Sequence, residues 1–197
     1  MMRITQDEKK RIKERILVQA LESLKVWGRE AAPVDKIMKK LGLTSGALYS
    51  HFKSKDDLFV QVIVKELERI TQMHNLRVQK SGQKMLSEFI EYYLQDEHIS
   101  NIERGCLFVA LGSDLHRLSS SARLEIEVRL EQMFKAMASG LPHKNKNVRL
   151  ETAKFIFSSM VGTLILARAM KNDQNKKDLL RITKMNLLKI ASTNANT

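Results

Sequence analysis

Residues 34–58 contain two short helical patterns separated by a glycine, and this segment constrains the fold more than any other part of the chain. It reads VDKIMKKLG, then LTSGALYSHF, then KSKDDL. Gly42 stands where a helix would end in a left-handed residue, a conformation that only a residue without Cβ adopts at low cost. Thr44 is then placed to cap the next helix by accepting from its free N–H groups. The pattern predicts two helices joined by a tight turn, with a third helix capped by Ser54.

The second of these helices, residues 45–52, is predicted to enter a DNA groove. Leu48 and Phe52 stand four residues apart and are expected to point inward. The residues between and before them are small or hydrogen-bonding, and Lys53 and Lys55 follow. A helix that is small and polar outside and flanked by lysines fits the major groove of duplex DNA. The segment is therefore a candidate helix-turn-helix.

The run GLTSGALYSHFKSKDDLF resembles the helix-turn-helix signature of the tetracycline-repressor (TetR) family of bacterial transcriptional regulators. The tyrosine, the His-Phe pair and the Lys-Ser-Lys before an acidic residue and a leucine match in order. Met38 stands where the family often has alanine. The resemblance covers about the first quarter to third of the chain, as is common when recognition modules are shared and ligand domains diverge. It implies that Tyr49, His51 and Lys55 reach DNA phosphates.

We predict DNA contacts along this whole segment. Small side chains suit the reading of base edges but make few bidentate contacts, so DNA shape is expected to contribute. His51 has an alternative role in capping or packing beside Phe52. The predicted DNA-binding residues are Thr44, Ser45, Gly46, Ala47, Tyr49, Ser50, His51, Lys53, Lys55 and Lys36. The resemblance adds the basic residues near the start of the first helix (Lys9, Lys10, Arg11, Lys13), for which a solvated surface is an equally good interpretation.

The remaining patterns are all helical. Thr5 and Glu8 form a capping box, and every segment beyond Gly82 has helical rather than alternating periodicity. The fold class is therefore predicted as all-α: an N-terminal three-helix helix-turn-helix domain at residues 1–55, and a C-terminal helical dimerisation and ligand-binding domain at 56–197, with about nine helices in all. At 197 residues and 43% apolar composition the chain can bury a core for one or two domains.

Residues 150–170 are apolar on nearly every side, so this helix needs cover on several faces. One chain's core could supply it, and a self-complementary dimer face does so more naturally. The resemblance implies that the last two long helices pair with their copies as a four-helix bundle. The predicted interface residues are Met160, Val161, Gly162, Leu164, Ile165, Arg168, Ile182 and Met185.

The resemblance also implies an effector site between the later helices. The candidate lining residues are Phe89, Tyr93, Cys106, Phe108, Phe134 and Phe157. Aromatic residues at helical spacing are core residues by default, and a lone buried thiol is most often inert. Redox sensing by Cys106 is the minority interpretation.

Other function classes find no support. The five histidines lack metal-ligand spacing, and no nucleophile elbow, phosphate loop or CxxC is present, so no enzyme activity, metal or cofactor is predicted. A single cysteine allows no intrachain disulfide, which fits the cytoplasm. The N-terminus does not resemble a secretory signal, and the apolar run at 160–167 is shorter than the roughly 20 residues that span a bilayer. A net charge of +12 favours a polyanionic partner.

These observations favour a homodimeric, sequence-specific transcriptional regulator. We expect a repressor that binds double-stranded DNA at a palindromic operator and is released by a small-molecule effector. Two alternatives are a protein that coats DNA without specificity, and a ligand-binding or enzymatic helical protein with a vestigial DNA-binding head.

Overall fold

The computed structural model describes residues 5–193, and these residues contain helices but no strand. The helices are α1 (Gln6–Ala31), α2 (Val34–Lys40), a 3-10 helix (Ser45–Ser50), α3 (Lys55–Ser81), α4 (Lys84–Tyr93), α5 (Asp96–Ser100), α6 (Leu107–Leu115), α7 (Ser120–Ala138), α8 (Lys146–Ala169) and α9 (Asp173–Ser192). The all-α prediction, with an N-terminal helix-turn-helix followed by a helical domain, is confirmed.

Most of the predicted helix starts and stops are present. The Thr5 hydroxyl accepts from the Glu8 backbone N–H at 3.2 Å, and the Ser54 hydroxyl accepts from the Asp57 N–H at 3.0 Å. Gly42 and Gly82 have positive φ angles of 74° and 55°, and each follows the last turn of a helix. Local side-chain and glycine chemistry therefore sets these boundaries.

Two local predictions differ from the structure, and α1 contains a kink. Thr44 holds the N-cap position of the 3-10 helix, but its side chain makes no capping hydrogen bond. The predicted recognition helix at 45–52 is a 3-10 helix that ends at Ser50, with bonds such as Ala47 N–H to Thr44 O at 3.0 Å. Gly28 (φ 73°) kinks α1 without ending it, since helical turns resume to Ala31.

The helix α3 organises the rest of the molecule. It begins in the helix-turn-helix and packs on α1, α4 and α7. Its buried residues, among them Leu58, Phe59, Ile63 and Leu67, join one hydrophobic core that continues from the N-terminal helices into the later ones. The helix-turn-helix and the later helices thus share one element.

The helix α8 has two apolar faces, of which one is buried in the core and the other is exposed. By length and composition alone this helix would suffice to cross a membrane, whereas the shorter apolar run at 160–167 would not. One face, including Ile156, Met160 and Leu164, is buried in the chain's own core. The opposite face leaves Phe155, Ile165 and Leu166 exposed. The core helix of a folded domain with one unpaired face accounts for this composition.

We expect the substitution Gly42→Ala to destabilise the fold by about 1–2 kcal/mol, because an alanine at φ 74° adopts a left-handed conformation. Space is not the reason, since no atom lies within 4 Å of a Cβ built there. Gly46→Ala is the matched control, because Gly46 is equally open and has no positive φ. Urea unfolding of both variants measures the difference, and equal midpoints would contradict the strain argument.

A second prediction concerns the buried His74, which packs edge-on against Phe89 with ring centroids 4.6 Å apart. Burial, and then the charge of Arg77, lowers the pKa of His74 to about 4. The unfolded state, with a His pKa near 6.5, takes up the proton first. Stability is therefore full above pH 6.5 and falls as the pH drops towards 4, by about 2 kcal/mol between pH 7 and 5.

We expect His74→Leu to lose this part of the acid destabilisation, while His116→Gln at an exposed site retains it. Denaturant unfolding at both pH values measures the change. An unaltered pH dependence in His74→Leu would contradict the assignment.

Candidate nucleic-acid interface

The 3-10 helix presents one exposed face over two buried anchors. Leu48 and Phe52 are 1% and 2% exposed, as their spacing predicted, and they fix the short helix against the core. Tyr49 stands 61% exposed on the other side. Of the predicted DNA-binding residues, eight are exposed: Thr44, Ser45, Gly46, Tyr49, Ser50, Lys53, Lys55 and Lys36.

Two small residues of this helix are less available than predicted. Ala47 is half-buried and packs against the core. The Ser50 hydroxyl donates to the Ala47 carbonyl at 2.7 Å, so it is left as an acceptor. Ser45 and Gly46 are therefore the small residues of this helix that stay open to solvent, and no atom among residues 5–193 lies within 4 Å of a Cβ built on Gly46.

The first helix contributes cations to the same face. The Lys13 ammonium lies 5.3 Å from the centroid of the Phe52 ring, so α1 reaches the base of the 3-10 helix. His51 is half-buried beside Phe52, and its Nδ1 has no hydrogen-bond partner among residues 5–193. Burial, and then the charges of Lys9 and Lys13, lowers the pKa of His51. The start of α1 and the 3-10 helix therefore form one basic surface.

Both carboxylates at the start of α3 are engaged within the chain, whereas the neighbouring lysines are not. The Asp57 carboxylate accepts from the Lys53 backbone N–H at 2.7 Å, and Asp56 pairs with Arg29 at 2.7 Å. The Lys53 and Lys55 ammonium groups make no ion pair within the described part of the chain. Together with the N-terminus of α3, which attracts anions, these lysines suit phosphate.

A cavity of about 140 Å³ lies among α3, α4, α6 and α8. Five of the six candidate ligand residues line it: Phe89, Tyr93, Cys106, Phe108 and Phe157. Phe134 does not, although its ring packs on Phe157 with centroids 5.8 Å apart. Burial raises the pKa of the Cys106 thiol, which leaves less of the reactive thiolate.

The cavity is also lined by charged residues that were not among the predicted ligand-binding residues. Arg69, Arg77, Arg104 and Glu66 line it together with His98. Glu66, Arg69, Met73 and Arg77 recur every three or four residues on α3, and this spacing is a signal that places them on one face. It was overlooked because charged residues on a helix are usually solvated.

The predicted dimer residues separate into two groups. Ile165, Ile182 and Met185 are 48%, 45% and 45% exposed, and Val161 and Gly162 are partly exposed beside them. Met160 and Leu164 are fully buried within the chain, so they do not reach a surface that a partner could contact. Arg168 also turns inward, since its guanidinium donates to the Ile99 carbonyl at 3.2 Å. These three predictions are therefore corrected, because the core takes one side of α8.

Across residues 5–193, no group of three or more His, Cys, Asp or Glu residues is arranged to hold a metal ion.

Comparison with known proteins finds a family match in the same N-terminal segment. A family model described as bacterial regulatory proteins, tetR family, matches residues 16–62. The HTH-type transcriptional regulator AcrR of Shigella flexneri is 37% identical over 62 residues, which are 32% of this chain and 29% of that relative. The match therefore spans less than a third of the curated relative's length.

Solved structures extend the likeness of the fold to most of the chain. A TetR transcriptional regulator from Legionella pneumophila has a TM-score of 0.71 at 22% identity, covering 88% of this chain and 96% of its own. Reduced NemR of E. coli has a TM-score of 0.69 at 15% identity, covering 88% and 95%. FadR of Bacillus subtilis, in complex with stearoyl-CoA, has a TM-score of 0.65 at 16% identity, covering 91% and 97%.

Proposed function

We propose that the chain is a regulator of the TetR family, whose model matches residues 16–62, and that it is a sequence-specific transcriptional repressor that a small molecule releases from its operator. The observation that carries the proposal is the exposed 3-10 helix, in which Tyr49 points outward and Leu48 and Phe52 are buried underneath. Lys53 and Lys55 follow it and make no ion pair among residues 5–193. Such a face fits a major groove bordered by phosphates. The protein binds its operator in the cytoplasm, where the DNA lies.

We place the boundary between the DNA-binding part and the remaining part at the start of α3. Residues 1–55 bind DNA, and residues 56–197 dimerise and hold the effector. Lys55 stands at one end of α3, whereas Arg69 and Arg77 line the cavity further along the same helix. A ligand that moves the cavity wall therefore moves the element that orients the DNA-binding face. FadR, which was solved with stearoyl-CoA, supports the idea that this fold accommodates a ligand.

The dimer forms through the exposed apolar faces of α8 and α9. Phe155, Ile165 and Leu166 on α8 and Ile182 and Met185 on α9 supply apolar area that no other part of residues 5–193 covers. The two helices are joined by a hydrogen bond from Thr163 to Thr183 at 3.1 Å, which favours one rigid surface. Two-fold pairing there sets the two recognition helices about 34–36 Å apart, or a multiple of that distance.

The effector binds more tightly to a conformation in which the two recognition helices of the dimer stand at a different distance, and it thereby favours that conformation. A near-complete switch needs about 5.5 kcal/mol of differential binding free energy. The operator is identified first, by sequencing the fragments that the purified protein selects from genomic DNA of its source.

We expect Lys55→Ala to weaken binding to the selected operator and to a shuffled duplex by the same factor, and to reduce the slope of log K against log salt by about 1, because one phosphate contact is lost. Ser45→Ala is expected instead to change the ratio of operator to shuffled affinity. Fluorescence anisotropy across a salt series measures both effects. The control is Lys177→Ala, an exposed lysine of α9.

Two outcomes would contradict the proposal in different ways. An operator-to-shuffled affinity ratio near one indicates a protein that coats DNA. Ligand binding or turnover without DNA affinity at low salt indicates a vestigial head.

For the interface, we expect Leu166→Asp to convert the dimer to monomers and to abolish operator binding, because a carboxylate would be buried unpaired between the two copies. The control Leu76→Asp introduces the same charge at a residue of α3 that is 66% exposed, and it should leave the mass unchanged. Sedimentation equilibrium measures the masses. A dimeric Leu166→Asp, or a monomeric parent protein at working concentrations, would remove this face from the proposal.

A further inference from the structure

We propose that the cavity among α3, α4, α6 and α8 is built for a small organic anion, about one substituted aromatic ring in size, whose charge pairs with Arg77 and Arg104. This inference rests on the proposed function only in taking the cavity as the effector site. The size, the charge balance and the buried polar atoms of the cavity each support it.

The volume and the lining limit the body of the ligand. A cavity of about 140 Å³ is close to the roughly 150 Å³ of an engineered apolar cavity that binds benzene. Phe157 meets Tyr93 and Phe108 edge-on, with ring centroids 6.4 and 5.6 Å apart, and Phe89 meets Tyr93 at 5.5 Å. Rings at these distances and angles form walls that suit a further aromatic ring.

The charged groups of the wall are unbalanced. Three arginines and only one carboxylate, Glu66, line the cavity. Glu66 is already occupied, because it accepts from Arg69 at 2.7 and 3.0 Å and lies 3.8 Å from the Lys25 ammonium. Arg77 and Arg104 have no carboxylate partner among residues 5–193. Arg104 is exposed and Arg77 partly so, which places them at the rim rather than in the core.

A guanidinium without a carboxylate partner at the edge of an aromatic cavity recognises planar anions. Its parallel N–H groups match the two oxygens of a carboxylate, and the partly desolvated site strengthens the pair. The Arg77 guanidinium already lies 6.0 Å from the centroid of the Tyr92 ring, which orients it. A cationic ligand would meet Arg77 and Arg104, which have no carboxylate partner among residues 5–193, and it is therefore disfavoured.

Two polar groups in the interior are poorly paired. Tyr93 is 4% exposed, and its hydroxyl faces the Cys106 thiol, which is only a weak hydrogen-bond partner. The Nε2 atom of His98 makes no hydrogen bond within the described chain. Buried polar groups are normally paired, so these atoms point to a ligand that supplies a polar substituent. Burial raises the pKa of Tyr93 and lowers that of His98 to about 4, so both groups are neutral at neutral pH. They therefore offer hydrogen bonds without a charge.

The anion has a direct connection to the DNA-binding head. Glu66 is shared between Arg69 on the cavity wall and Lys25 of α1, and Lys25 and Glu66 are 7% and 5% exposed. An anion held by Arg77 and Arg104 also attracts the Arg69 guanidinium, which lines the same cavity, and so weakens the pairing of Arg69 with Glu66. The weaker pairing changes the position of Lys25, the other partner of Glu66. Because α1 also carries Lys9 and Lys13, the change reaches the basic surface of the head.

Three probes of one shape and different charge test the ligand class: benzoate (anion), benzamide (neutral) and benzamidine (cation). Ligand-observed NMR with the full-length protein at constant ionic strength measures their dissociation constants. We expect benzoate to bind at least about tenfold more tightly than benzamide, and benzamidine to bind most weakly. Equal affinities, a reversed order or no benzoate binding at millimolar concentration would overturn the proposal.

Variants locate the site. Arg77→Met and Arg104→Met are expected to remove most of the preference for benzoate over benzamide, whereas Arg123→Met, at an exposed position of α7, retains it. Lys25→Met keeps benzoate affinity but loses the effect of benzoate on DNA binding; an undiminished effect would remove Glu66 from the connection. Benzoate selectivity in a protein without operator preference refutes only the proposed function. Operator preference with the wrong ligand order refutes only this inference.

Discussion

The packing of α3 against both ends of the molecule is the constraint on which the rest of the structure depends. Its 27 residues span about 40 Å, from the lysine beside the recognition helix to the glycine before α4. Its buried residues run from Leu58 to His74, with Leu67 near the middle of the helix. A helix that is packed over this length moves as a unit, since close-packed interiors transmit displacement rather than absorb it. This packing is the physical basis of the proposed coupling between the cavity and the DNA-binding residues.

The recognition element has the opposite character, because it has almost no stability of its own. A single 3-10 stretch at residues 45–50 cannot persist in water without support. Its conformation comes from Leu48 and Phe52 underneath, from the left-handed Gly42 before it and from the capped start of α3 after it. Apart from Ser50, whose hydroxyl bonds to the Ala47 carbonyl, the outward side chains are thus free to contact DNA, because the helix is held from underneath.

This difference explains what the sequence could predict. The helix boundaries at Thr5, Gly42, Ser54 and Gly82 depend on groups that act on their immediate neighbours. They can therefore be predicted from the local sequence. The anchors under the recognition helix follow from spacing alone. Which side of the apolar helix α8 meets the core does not, and Met160 and Leu164 therefore seemed available to a partner. Likewise, the arginines of the cavity become visible only when α3, α4 and α6 stand together, because their role depends on what faces them.

The DNA-binding residues and the cavity show the same arrangement of charges. Near the recognition helix, Asp56 and Asp57 are engaged by Arg29 and by a backbone N–H, so the adjacent lysines remain uncompensated. In the cavity, Glu66 is engaged by Lys25 and Arg69, so the rim arginines remain uncompensated. In each case carboxylates are used to fix the scaffold, and the surplus of cations is left facing outward. A net charge of +12 spread evenly over a surface would attract any polyanion weakly. With the nearby carboxylates engaged by the surface pair of Arg29 and Asp56 and by the buried pair of Lys25 and Glu66, the cations collect in two places, and these are the proposed sites for a phosphate backbone and for a single small anion.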